Sequence, residues 1–124
     1  MYAELKGLSS TDEDMENFVP DDAHCFGFWC QAVFGTRGKE GGDLFNFCVC
    51  TPEWLALQIR TRRRTNASFG RGLLIVGEYN YSGLVVLLRR YAERCSGDTW
   101  LEVSNKLMRI GESEFEDYQP NSSR

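Results

Sequence analysis

Residues 43–55, DLFNFCVCTPEWL, restrict the fold more than any other stretch of the chain. Drawn out as a strand, Phe45, Phe47, Val49 and Thr51 point to one side and Leu44, Asn46, Cys48 and Cys50 to the other. Both sides are largely apolar, which predicts a strand covered on both faces in the interior of a sheet. Pro52 then removes an amide donor and fixes φ near the helical value. Thr51 can cap a helix with its hydroxyl, with Pro52 at the first helical position and Glu53 at the positive end of the helix dipole. Trp54 and Leu55 begin the apolar stripe of that helix. The stretch reads as a core strand feeding a packing helix and holds no catalytic motif.

Ala3 and Leu5 alternate with Glu4 and Lys6, predicting a first strand over residues 2–8 with one wet face. Residues 9–23 are polar and acidic and read as a loop without a core role, with room for one helical turn after Ser10. Residues 24–34 alternate again, with Phe26, Phe28, Cys30, Ala32 and Phe34 on one face and Trp29, Gln31 and Val33 on the other. The glycine-rich residues 35–43 predict a hairpin loop. A helix to about Arg64, a loop over 65–72, and a buried strand at 73–76 follow. Leu84, Leu87 or Leu88, Tyr91 and Cys95 recur at helical spacing. Asp98 then offers a cap for a last helix with Trp100, Val103, Leu107 and Ile110 on one stripe. The order is strand, strand, strand, helix, strand, helix, helix. It predicts a single α+β domain over residues 1–118, a mainly antiparallel sheet of about four strands with two to three helices packed on one face, and a flexible tail at 119–124.

At 124 residues the chain can build a core without disulfide or metal staples. The N-terminus lacks a basic region followed by an apolar run, and no apolar stretch reaches the roughly 18 residues of a membrane span. These features predict a cytoplasmic protein with no membrane partner. The five cysteines form no Cys-x-x-Cys pair and read as reduced, packed thiols. Cys48 and Cys50 share a strand face and could join His24 around zinc, but the spacings match no common zinc module. His24 is the single histidine. No serine-nucleophile elbow, phosphate loop, dinucleotide fingerprint or metalloprotease motif is present, so the sequence gives no positive reason to expect an enzyme or a cofactor.

Charge is more informative by distribution than by the net value of −4. Asp12, Glu13, Asp14, Glu16, Asp21 and Asp22 crowd one loop without a base, and Glu112, Glu114, Glu116 and Asp117 crowd the C-terminal segment. Between them Arg60, Arg62, Arg63, Arg64 and Arg71 form a basic cluster. Charge runs are commonly solvated faces; the sharper reading is an acidic surface that meets a basic partner. A regulatory or nucleic-acid-binding module using the Arg60–Arg71 face is the alternative, although acids on either side would repel phosphates. A small enzyme or metal protein built on His24 and the cysteines is a third.

The segment from Gly42 to Leu55, through Phe45, Val49, Cys50, Thr51, Pro52, Trp54 and Leu55, resembles the immunity protein 8 family of bacterial polymorphic toxin systems. The later order is similar too: Leu74-Ile75-Val76 with Glu78-Tyr79, then Trp100, then Glu114-Phe115-Glu116-Asp117-Tyr118. The likeness runs from Gly35 to Tyr118 and is weaker before that. Where many members are expected to carry a tryptophan before the final acidic-aromatic motif, this chain has Ser113. The resemblance implies a cytoplasmic protein made alongside a secreted toxin, often one delivered by contact-dependent growth inhibition. It would bind the toxin's C-terminal domain one-to-one and neutralise it, without cofactor or chemistry. Such toxins are commonly nucleases, whose clefts are basic, so an inhibitor can present carboxylates where phosphates would bind. The first candidate contact surface is Asp12, Glu13, Asp14, Glu16, Asp21 and Asp22. The second is Glu114, Glu116, Asp117 and Tyr118, a motif that could instead be structural, with Phe115 and Tyr118 packed and the acids paired to Arg60–Arg64.

Overall fold

Strand β3 (Asp43–Cys50) is the hub of the architecture. The computed structural model describes residues 1–61 and 67–113. Within them lie β1 (Ala3–Ser9), β2 (Gly27–Thr36), β3, α1 (Pro52–Arg60), β4 (Leu73–Ile75), α2 (Tyr81–Glu93), α3 (Trp100–Leu107) and β5 (Glu112–Ser113). The sheet runs β1-β2-β3-β4, and β5 also pairs with β3. β3 therefore has neighbours along both edges: β2 antiparallel on one side, β4 and β5 in series on the other. This is the interior strand that its two apolar faces predict. Phe45, Phe47, Val49, Cys48 and Cys50 are all buried.

The hairpin between β2 and β3 turns through Gly38 and Gly41, whose φ angles of 80° and 82° lie where a side chain would be strained. On one face of the sheet Phe28, Cys30, Ala32, Phe34, Phe45, Phe47 and Val49 form the core with Leu84, Leu88 and Ala92 of α2 and Val103 and Leu107 of α3. The rings of Phe34 and Phe45 meet edge-on at 5.5 Å. Two hydrogen bonds tie this layer together: Tyr91 donates from its hydroxyl to the Lys106 carbonyl, and Trp100 Nε1 donates to Asp43 Oδ2 at 2.6 Å.

Four expectations are corrected. The helices do not share one face: β4 runs parallel to β3, so α1 is the crossover between them, and Trp54 of α1 lies on the Trp29 side of the sheet, opposite α2 and α3. The helix after Thr51 ends at Arg60 with Thr61 as its C-cap, and Arg62, Arg63 and Arg64 lie outside the described residues. The cap of α3 is Thr99, not Asp98. Thr99 Oγ1 accepts from the Glu102 amide while Glu102 Oε2 accepts from the Asp98 amide, a capping-box arrangement that Thr99-x-x-Glu102 encodes. The second strand starts at Gly27 rather than residue 24, because the Phe26 amide and carbonyl are taken by Thr51 instead of a neighbouring strand. Among the described residues no helix is long and apolar enough to cross a membrane.

Candidate functional site

The acidic loop leaves β1 at Ser10, and Ser10 fixes its start. The Ser10 hydroxyl donates to the Trp29 carbonyl at 2.6 Å and accepts from the amides of Asp12 and Glu13 at 3.0 and 3.3 Å. This is a serine turn in place of a helix. The middle of the loop is pinned from below, contrary to the expectation that it has no core role. Met15 is buried, and its carbonyl accepts from the Tyr79 hydroxyl. Phe18 stacks edge-on against Phe26, Phe28 and Tyr79, with centroids 5.7, 4.9 and 5.0 Å apart. Burial pushes the Tyr79 phenol up to about 12, with nearby Cys30, Tyr81 and Asp14 adding to the effect, so it stays a donor at neutral pH.

The pins leave the acids outside. Asp12, Glu13, Asp14, Glu16, Asp21 and Asp22 are all exposed. Among the described residues the one salt bridge joins Lys6 to Glu4, so none of the six is paired with a described cation. Asp14 accepts from Asn17 Nδ2 and Asp22 accepts from the His24 amide, each at 2.8 Å, which shapes the loop without cancelling its charge. Glu13, Asp14, Asn17, Phe18, Val19 and Asp21 line a shallow depression of about 310 Å³. The first candidate surface is thus brought together on one supported loop. Glu114, Glu116, Asp117 and Tyr118 lie outside the described residues, as does the 119–124 segment read as a tail.

A second feature went unread in the sequence. On the outer face of the sheet, α1 and residues 68–71 bound a groove of about 520 Å³, floored by Cys48 and Leu73. Its walls include Trp29, Trp54, Ile59 and Phe69. Trp54 is set by Gly27: a Cβ there would come within 2.3 Å of the indole ring. No residue of α1 is fully buried, so the helix keeps its apolar side partly open. The signal that could have found the groove was Trp29, a large aromatic on the sheet face away from the phenylalanines.

The cysteines are unpaired, with Cys25 half-buried and the other four buried. Cys30 faces the core with Phe28, whereas Cys48 lines the outer groove, so these thiols lie on opposite faces of the sheet. Burial, reinforced by the nearby Cys48 thiol, pushes the Cys30 thiol up to about 12. Cys48 and Cys50 interact side by side, which lowers the first and raises the second. Among the described residues no three His, Cys, Asp or Glu side chains gather to hold a metal ion, and His24 stands exposed in the loop.

No similar protein was found among the curated proteins or the solved structures. A family model described as immunity protein 8 matches residues 3–118, nearly the whole chain, and the chain belongs to that family of immunity proteins, which act against toxins.

Proposed function

We propose that this immunity protein neutralises the toxin domain of a secreted nuclease, in the cytoplasm and one-to-one, by laying the 12–22 loop into the basic cleft that would hold phosphates. The observation that carries this reading is the loop itself: six exposed acids, without a salt bridge among the described residues, on a backbone pinned by Met15 and Phe18. Ordering a loop at the moment of binding costs conformational entropy, and a loop already held avoids part of that cost. Clustered carboxylates accelerate encounter with a basic cleft and fix register once bound. Pairs of this kind reach dissociation constants on the order of 10⁻¹³ M. No chemistry by the immunity protein is required.

Co-expression with the C-terminal domain of the secreted protein encoded next to it tests the reading. Growth rescue with a one-to-one complex is the expected result. Charge reversal at Asp12, Asp14 and Glu16 weakens the complex and steepens its loss at low salt, while the melting temperature stays where it was. An acid at the centre of the contact contributes up to about 7 kcal/mol, and one at the rim under about 1 kcal/mol. Unchanged affinity in the triple variant removes the loop from the interface.

A further inference from the structure

We infer that Val19 is the apolar anchor of the toxin contact, entering a dry recess on the toxin whose rim carries the basic groups met by the surrounding acids; this rests on the function proposed above. The acidic loop holds three large apolar side chains, Met15, Phe18 and Val19, and the fold uses two of them. Met15 is 4% exposed, and Phe18 packs edge-on against Phe26, Phe28 and Tyr79. Val19, the next residue, is 82% exposed, and among the described large apolar residues only Phe69 is more open. So open a side chain adds little to the packing of the fold.

Its neighbours give Val19 the layout of an interface centre. It lines the shallow depression of about 310 Å³ together with Glu13, Asp14, Asn17 and Asp21, so one apolar side chain lies amid three carboxylates. In protein contacts a small dry centre holds much of the affinity, and a polar ring around it excludes water. The loop also presents Val19 at low entropic cost. Phe18 is fixed by three rings on one side, and Pro20 on the other disfavours helical backbone at Val19. A β-branched side chain then has few rotamers left to lose on burial. The acids around it favour a basic surface, and the valine adds the requirement for an apolar recess within that surface. Charge alone accepts any basic cleft; the fit of the valine separates the cognate toxin from other basic domains.

The test uses the full-length chain and the catalytically inactivated toxin domain encoded beside it. Val19→Ala weakens binding by about tenfold, through faster dissociation with an unchanged salt dependence. Val19→Asp is the sharper variant, because the two readings differ in sign. If the loop bound by charge alone, a seventh carboxylate would tighten the complex. A carboxylate forced into a dry recess instead weakens it by about a hundredfold or more. Both variants melt with wild type, because the position is exposed, and so keep the test clear of folding defects. If reversal of Asp12, Asp14 and Glu16 weakens binding while both Val19 variants bind like wild type or tighter, the inference is overturned and the proposed function stands. If the wild-type chain does not bind the toxin domain, both fall. A free chain that sediments as a dimer, dissolved by Val19→Ala, assigns the valine to a second copy and overturns the inference.

Discussion

Thr51→Val removes one hydroxyl and should expose how much of the fold hangs on the end of β3. The Thr51 side chain is 1% exposed. Its oxygen accepts two amides at once, from Trp54 inside α1 and from Phe26 just before β2, both at 3.3 Å. The Thr51 amide returns a bond to the Phe26 carbonyl at 3.0 Å, so this residue joins the start of β2, the end of β3 and the first turn of α1. Valine keeps the shape and loses both acceptor bonds. The missing helix cap costs about 1 kcal/mol. The Phe26 amide, beside a ring only 7% exposed, loses its acceptor at a cost of about 1–3 kcal/mol. A buried methyl in place of the hydroxyl returns about 0.8 kcal/mol. The net destabilisation is about 1–3 kcal/mol. Urea denaturation should show a lower midpoint with an unchanged slope, and the melting temperature should fall by about 4 °C per kcal/mol for a chain of this length. Thr51→Ser, which keeps the oxygen, should stay within about 1 kcal/mol of wild type. A valine variant as stable as wild type and more stable than the serine variant would refute the reasoning, since methyl packing rather than hydrogen bonding would then be what the site supplies.

Gly111→Ala should destabilise by about 1–3 kcal/mol in the same assay, because its Cβ would meet the ring of fully buried Phe47 at 2.5 Å; a neutral result would mean that Phe47 has room to move. Tyr79→Phe deletes the bond to the Met15 carbonyl and should cost about 1 kcal/mol while speeding proteolytic cleavage within residues 11–22; cleavage at the wild-type rate would show that Phe18 alone holds the loop. Stability should also fall as pH rises. Cys30 binds its proton in the folded state up to about 12, against an ordinary value of 9.0, so above pH 9 the unfolded chain holds fewer protons than the folded one. The Cys30 contribution is complete below pH 9 and is lost between 9 and 12. Cys30→Ala should flatten the decline in that window, and an unaltered slope would rule Cys30 out as its source.

The sequence was most readable where local and long-range demands agree. Thr51-Pro52-Glu53 is a helix start by its own chemistry, and the core strand before it needs a stop at that point, so both element and boundary could be anticipated. The same holds for the phenylalanine face of β2 and the α2 stripe at Leu84 and Leu88. Reading failed where only tertiary partners decide. Nothing local tells β4 to run parallel to β3 or sends α1 to the far face, and two residues cannot announce β5. The acidic loop was legible as charge and illegible as structure. Met15 and Phe18 were the clue, since a purely solvated loop has no use for two large apolar residues among its acids. The groove was missed because its walls come from β2, α1 and the 68–71 segment, which share no sequence pattern.

The pinning of the acidic loop also bears on how such a surface can change over generations. Met15 and Phe18 hold the loop by side chains that point inward, and Ser10 by its hydroxyl, while the acids between and beyond them are exposed. Substitutions at exposed positions of that kind usually alter stability by less than about 0.5 kcal/mol. Residues 12, 13, 16 and 21 can therefore be exchanged at little cost to the scaffold that presents them, while Asp14 and Asp22 also shape the loop through Asn17 and the His24 amide. If the loop meets the toxin as proposed, recognition and folding draw on different residues of the same loop, and a lineage can rewrite its preferred adversary by point mutation while the β-sheet beneath stays the same.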